Sequence, residues 1–267
     1  MFNYAKIRNK VTTDILEMIF KAQASHLGSA LSCVDILIVL YFRILKINPH
    51  QPLAGNRDRF ILSKGHAIAA LDAVLAERGF FDKKLLKEYC TNGSKLLGHA
   101  HYNSVPGIEV SSGSLGHGLS IANGMALAAK RDKKKYRIFV LLSDGECDEG
   151  STWEAILFAS HHKLDNLVVI IDYNGWQALG RIKEVLNLEP FTKKWRDFGW
   201  SVKKVDGHNS YDIYSALRNI PFQKNKPSVL IAHTIKAKGI PSLEDKLESH
   251  YRLPTPEEYN KLINDLK

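Results

Sequence analysis

Two continuous apolar segments, residues 136–142 and 166–172, constrain the fold of this chain more than any other feature. Both are short, rich in valine, isoleucine and leucine, and without regular polar alternation. Such runs are typical of strands that are covered on both faces, as in parallel sheets. A helical pattern at 152–163 lies between them, and the three elements together predict a strand–helix–strand unit.

Three further apolar runs predict strands at 59–63, 200–205 and 228–233. Helical patterns fill the remaining segments and are predicted at 10–24, 33–45, 66–79, 117–131, 152–163, 210–219 and 256–266. This alternation favours an α/β fold with one open, mostly parallel sheet and helices on both faces. The sequence has no repeats and no clear linker, so residues 1–267 are expected to form a single domain.

The net charge of +9 favours an anionic partner, either a nucleic acid or a phosphorylated small molecule. The basic residues are scattered along the chain and no groove-reading motif accompanies them, so no nucleic-acid partner is expected. The longest apolar run, residues 36–42, is far too short to span a bilayer, and the N-terminus lacks a signal-peptide pattern. We therefore expect a cytoplasmic protein without a membrane partner.

Polar residues follow the two central strands at the point where each strand ends. Asp144 and Gly145 come directly after the first, and Asn174 and Gly175 follow the second. Either pair alone could be an ordinary turn. Together, at the spacing of one strand–helix–strand unit, they place a carboxylate and an amide oxygen at neighbouring strand ends. Hard oxygen ligands of this kind suit Mg²⁺ or Ca²⁺, and Mg²⁺ commonly completes its shell with phosphate oxygens.

The segment from Asp144 to Asn174 resembles the thiamine-diphosphate signature, which opens Gly-Asp-Gly and closes about thirty residues later at an asparagine. Ser143 stands where the signature has its first glycine. The resemblance implies thiamine diphosphate with Mg²⁺, for which Ca²⁺ could substitute. It implies metal ligation by Asp144, Asn174 and the backbone carbonyl of Trp176. The neighbouring acids Glu146 and Asp148 are expected to face solvent, and Cys147 is not expected to be a nucleophile.

Four further segments resemble transketolases, in the family's order along the chain. They are Ser25-His26-Leu27-Gly28-Ser29, residues 58–67 around His66, Leu97-Gly98-His99, and the glycine-rich loop 112–118. The resemblance runs from about residue 10 to about 255. It implies catalytic roles for His26, His66, His99 and His250, although Tyr251 follows the last histidine where the family has glycine. His26 and His250 would handle protons, while His66 and His99 would bind diphosphate and the hydroxyls of the donor sugar.

The same resemblance implies which residues contact the cofactor. They are His66, Gly113, Ser114, Leu115, Ser143, Gly145, Glu149 and Asn174. Glu149 could face a subunit interface. His161 and His162 lie on a predicted helix and are not expected to be ligands, and the role of His117 in the glycine-rich loop stays open.

Transketolases are normally more than twice as long as this chain, and their pyrimidine-binding and C-terminal domains have no counterpart here. The resemblance therefore implies the N-terminal subunit of a split transketolase, active with a C-terminal subunit that carries the pyrimidine-binding domain, in a heterotetramer. The reaction implied is transfer of a two-carbon ketol unit between sugar phosphates. The alternatives are a related enzyme subunit for an unusual sugar or a 2-oxo acid, and a non-catalytic scaffold subunit.

Overall fold

The computed structural model describes residues 3–266, which build a five-stranded parallel sheet in the order β1-β2-β3-β5-β4. The strands are β1 (Arg59–Leu62), β2 (Ile138–Ser143), β3 (Leu167–Tyr173), β4 (Ser201–Asp206) and β5 (Ser228–His233). All five predicted strands are confirmed, with bounds that differ by no more than a residue or two. The two continuous apolar runs are the neighbouring central strands β2 and β3.

Helices cover both faces of the sheet, so the predicted fold class is confirmed. They are α1 (Tyr4–Ala22), α2 (Leu27–Ser32), α3 (Val34–Val39), α4 (Ile68–Arg78), α5 (Gly118–Arg131), α6 (Gly150–His161), α7 (Ile182–Val185), α8 (Phe191–Asp197), α9 (Ser210–Leu217) and α10 (Pro256–Asp265). A π-helical turn, Leu40–Ile44, continues α3. No helix among them combines the length and apolarity that crossing a bilayer requires.

Successive side chains of each central strand enter two separate cores. In β2, Phe139 and Leu141 join the core under α1, α3, α4 and α9. Val140 and Leu142 join the core under α5, α6 and α8. This period-two division explains why β2 needs an apolar residue at every position, since neither face meets water.

Several helix bounds differ from the predicted ones because of capping contacts. Helix α1 begins at Tyr4 instead of residue 10, since the Asn3 side chain accepts a hydrogen bond from the backbone N–H of Lys6. It ends at Ala22, where Gln23 takes a left-handed conformation with a φ of 51°. The short helices α2, α7 and α8 lack a helical pattern long enough to be predicted.

Strand β4 forms one edge of the sheet and is the least buried strand. It carries Lys203 and Lys204, the second of which is exposed. The Lys203 ammonium contacts the ring of Phe222 and the backbone carbonyl of Ala216. Edge strands of this charged kind border many natural sheets.

Candidate functional site

The carboxyl ends of β2 and β3 place Asp144 and Asn174 side by side, as their spacing predicts. Ser143 of β2 is paired in register with Asp172 of β3. Asp144 follows Ser143 directly, and Asn174 lies two residues after Asp172. Asp144 accepts backbone hydrogen bonds from Gly145 at 2.9 Å and from Gly175 at 2.6 Å. The turn after each strand therefore folds around a single carboxylate.

Asp144 is fully buried, and burial raises its pKa to about 7 in spite of the two backbone hydrogen bonds. A buried carboxylate is costly unless a cation or further donors compensate its charge. The amide oxygen of Asn174, after the neighbouring strand end, accepts a hydrogen bond from the Trp176 backbone N–H at 3.0 Å. Among the described residues there is no group of three His, Cys, Asp or Glu side chains that could hold a metal ion. The donor set here is of another kind, one carboxylate with neutral oxygens, and it fits a hard divalent ion.

Four predicted histidines meet above this turn, with His26 at the centre. The ring centre of His26 lies 5.4 Å from that of His66, 5.5 Å from that of His99 and 5.0 Å from that of His250. His26 has a φ of 73°, and its backbone N–H donates to the carbonyl of His250 at 2.8 Å. The chain thus holds residues 26 and 250 together through the backbone, independently of their side chains.

Three of the four histidines are held neutral by their surroundings. Burial, assisted by the positive charge of nearby Lys236, lowers the pKa of His26 to about 4 and that of His250 to about 3. Burial and Lys64 hold the pKa of His66 well below its usual range. The Nδ1 atom of His250 is buried and has no hydrogen-bond partner within residues 3–266. Neutral imidazoles can donate one hydrogen bond and accept another, which suits contacts with sugar hydroxyls and with phosphate.

A cavity of about 300 Å³ joins the histidine cluster to the strand ends. Ten predicted site residues line it: His26, His66, His99, Gly113, Leu115, Ser143, Gly145, Asn174, Trp176 and His250. Asp144 lies buried beside this cavity rather than on its wall. Ser114 lines a neighbouring open cavity together with His99 and His117, and Glu149 is exposed at the start of α6. His161 and His162 lie at the end of α6 and contact each other, outside both cavities.

The glycine-rich loop packs closely against the start of α6. Gly116 has a φ of 84°, and a Cβ atom there would lie 2.5 Å from Ser151 Oγ and 2.8 Å from Glu149 Cβ. Its backbone N–H donates to Glu146 Oε1 at 2.9 Å. Glycine is therefore required here for two reasons: the backbone is left-handed, and no space remains for a Cβ atom.

The expectation that Glu146 and Asp148 face solvent is wrong. Glu146 is fully buried, because the 3₁₀ turn after Asp144 directs its side chain under the glycine-rich loop, where Ser63 also donates to it. Asp148 is half-buried and accepts a hydrogen bond from Gln177. Cys147 is buried as well, and burial raises the pKa of its thiol well above the usual range, so the thiol stays protonated.

Two lysines belong to the site although the sequence patterns do not single them out. Lys64 is fully buried, donates to the Ser29 carbonyl at 3.1 Å and forms an ion pair with Asp172. Lys236 is buried beside it, and burial with the repulsion of Lys64 lowers its pKa to about 8. The only sequence signal for Lys64 is its place directly before Gly65 and His66 in a predicted motif.

Comparisons with known proteins identify the family to which this sequence is similar. A family described as transketolase, thiamine diphosphate binding domain, matches residues 5–260. An apulose-4-phosphate transketolase subunit from Phocaeicola vulgatus is 42% identical over 252 residues, which are 94% of this chain and 89% of the relative. The 6-deoxy-6-sulfo-D-fructose transketolase subunit SqwG from Clostridium sp. is 42% identical over 98% of this chain and 94% of its own length.

Solved structures show the same fold within a longer protein. Transketolase from Campylobacter jejuni superimposes on all of this chain with a TM-score of 0.91 at 32% identity. The match covers 43% of that solved chain. This chain therefore spans less than half the length of that protein, but most of the length of the two shorter relatives.

Proposed function

Since the chain belongs to the transketolase family and carries its thiamine-diphosphate-binding domain, we propose that it is the N-terminal subunit of a split transketolase. In this proposal the assembled enzyme transfers a two-carbon ketol unit from a ketose to an aldose. The observation that carries it is a single cavity at the strand ends, which four imidazoles and Asn174 line and beside which Asp144 is buried. A catalytically silent scaffold would have no use for this combination.

The residues around Asp144 would hold the cofactor and its metal. Asp144, Asn174 and the Trp176 carbonyl would ligate Mg²⁺, with Ca²⁺ as a substitute, because all three offer oxygen donors. The remaining cofactor contacts are assigned to His66, Gly113, Ser114, Leu115, Ser143, Gly145 and Glu149. When bound, thiamine diphosphate supplies the electron sink that breaking a carbon–carbon bond next to a carbonyl requires.

The histidines would act on the sugar. His26 and His250 are adjacent and neutral, so each can take a proton at one ring nitrogen and give one at the other. His66 and His99 would donate hydrogen bonds to the diphosphate and to the hydroxyls of the donor sugar. Binding of an anionic diphosphate would raise the low pKa of His66, since a nearby negative charge favours the protonated form.

The partner in this proposal is a C-terminal transketolase subunit with the pyrimidine-binding domain, in a cytoplasmic heterotetramer. Large apolar side chains that a partner could cover are exposed on the isolated chain, among them Ile121, Leu157, Phe158 and Leu179. The names of two relatives specify apulose-4-phosphate and 6-deoxy-6-sulfo-D-fructose, so an uncommon ketose is a reasonable first donor to assay.

Calorimetry tests the proposal directly. Thiamine diphosphate with Mg²⁺ is titrated into the chain with and without the partner subunit. We expect tight binding with the partner. Asp144→Ala should abolish it, whereas Asp148→Ala, which removes an acid from the same turn that contacts only Gln177 of loop 174–182, should weaken it far less. Equal losses in both variants would refute the metal assignment, and no binding by the unaltered complex would refute the proposed function.

A further inference from the structure

One carboxylate, that of Asp245, joins two loops at the rim of the cavity. Its Oδ1 atom accepts hydrogen bonds from the Trp176 indole at 2.8 Å and from Arg181 at 2.9 Å. Its Oδ2 atom accepts a second bond from Arg181 at 2.6 Å. The Arg181 guanidinium in turn stands 3.8 Å from the centre of the Trp176 ring. Three side chains thus contact one another pairwise.

The first of the two loops, residues 174–182, begins with Asn174 and contains Trp176. It closes on itself through backbone bonds from Gln177 to Gly180 at 2.9 Å and from Ile182 to Gly175 at 3.1 Å. None of the side chains at positions 175–181 is buried. Only its end residues, Asn174 and Ile182, are buried, so between them the conformation of the loop depends on polar contacts.

The second loop, residues 236–250, begins at Lys236 and ends at His250. The backbone N–H of Asp245 donates to the Lys236 carbonyl at 3.0 Å, and the Lys236 ammonium donates to the Gln177 carbonyl at 3.3 Å. Asp245 consequently connects the loop that carries Asn174 to the loop that carries His250.

An isolated ion pair at this exposure would contribute little, since Arg181 is 40% and Asp245 is 52% exposed. Here the geometry is more specific. The guanidinium binds both carboxylate oxygens, it stacks on an indole, and the indole binds the same carboxylate. The bonds from Arg181 and Trp176 hold the pKa of Asp245 below its usual range, so the carboxylate is charged at neutral pH.

We propose that Trp176, Arg181 and Asp245 form a latch that positions loop 174–182, and with it the metal-binding oxygens, against loop 236–250. The three side chains are positioning residues and take no part in the chemistry. The inference rests on the proposed function, because loop 174–182 would supply the Asn174 and Trp176 oxygens to the metal. Residues that orient the ligands of a metal commonly change its affinity by about 10-fold or more when they are replaced.

Two measurements on Asp245→Ala test the latch. The first is hydrogen exchange of peptides covering residues 174–182 in the chain without ligand. The second is the Kd for thiamine diphosphate with Mg²⁺ in the complex with the partner subunit. We expect faster exchange of the Gln177 and Ile182 amides and a Kd raised about 10-fold. Asp245→Asn, which keeps an acceptor for the Trp176 indole, should lie between the unaltered chain and Asp245→Ala in both measurements.

The control variant is Asp197→Ala, which removes the exposed ion pair with Lys193 on helix α8. It should change neither measurement. Unchanged exchange in Asp245→Ala would overturn the inference, and so would faster exchange with an unchanged Kd. If the unaltered complex does not bind thiamine diphosphate, the proposed function itself is refuted. The latch could then not position metal-binding oxygens, and the inference would fall with it.

Discussion

Replacing Lys64 with methionine should destabilise the chain more than any surface substitution. Lys64 and Asp172 are both fully inaccessible, and each is the other's ion-pair partner. Removing one member of such a pair leaves a buried charge without its counterion, which costs about 3–5 kcal/mol. Asp172 would keep hydrogen bonds from Ser32 Oγ, at 2.5 Å, and from Thr234, so the lower end, about 3 kcal/mol, is expected. That loss is large against a total stability of about 5–15 kcal/mol.

The assay is urea unfolding of Lys64→Met followed by circular dichroism, with Lys193→Met as the matched control. The Lys193–Asp197 pair is exposed and should contribute at most about 1 kcal/mol. Asp172→Asn in the Lys64→Met background should recover part of the loss, because it removes the orphaned charge. A loss below about 1 kcal/mol in Lys64→Met would refute the reasoning, since the buried pair would then be worth no more than the exposed one.

The same variant has a distinct pH response. Lys64 holds the pKa of Asp172 below its usual range in the folded chain, although burial alone would raise it. Without the lysine, burial dominates and the pKa of Asp172 rises above its value in the unfolded chain. The folded variant then binds the proton more tightly, so its stability deficit should shrink as the pH falls toward 5. A deficit that stays constant between pH 7 and pH 5 would contradict this account.

The remaining predictions are tested by unfolding the chain without a partner subunit. In the folded chain the pKa values of His26 and His250 are about 4 and about 3, below the ordinary 6.5. The unfolded chain therefore binds more protons at these residues, and the free energy of unfolding should decrease as the pH is lowered from about 7 to about 4. His26→Gln should make the free energy of unfolding, measured by urea titration, less dependent on pH over this range. An unchanged pH dependence would contradict the lowered pKa of His26. Gly65→Ala should destabilise the chain by about 1–3 kcal/mol, because its Cβ would lie 2.4 Å from the Ser112 carbonyl oxygen. Gly124→Ala, in the middle of α5 with open space around it, should stabilise the chain by about 0.5–1 kcal/mol. In thermal unfolding, Gly65→Ala should therefore lower the Tm and Gly124→Ala should raise it.

The strands and the strand-end pair could be predicted because their signals are local. A strand buried on both faces must be apolar throughout, and β2 and β3 are. A spacing of one strand–helix–strand unit then places Asp144 beside Asn174 without further information. The meeting of the four histidines was predicted from family motifs, since nothing in their individual surroundings indicates that loops so far apart along the chain converge.

Burial of charged side chains could not be predicted in the same way. Glu146 and Lys64 belong to residue types that are almost always exposed, so residue type alone predicts solvated positions for both. Their burial depends on partners that lie far away in the sequence: Ser63 and Gly116 for the glutamate, and Asp172 for the lysine. The Arg181–Asp245 contact could not be predicted for the same reason, because its two residues lie sixty-four positions apart in the sequence.

The charged edge strand β4 has a consequence for how copies of this chain can associate. A free strand edge offers a template on which another chain can add a strand, and such growth has no natural end. Lys203 and Lys204 stand on that edge, so a second copy docking there would bring like charges together. Extension of the sheet through β4 is therefore opposed by electrostatic repulsion, so this edge disfavours open-ended aggregation of a chain that exposes apolar side chains elsewhere.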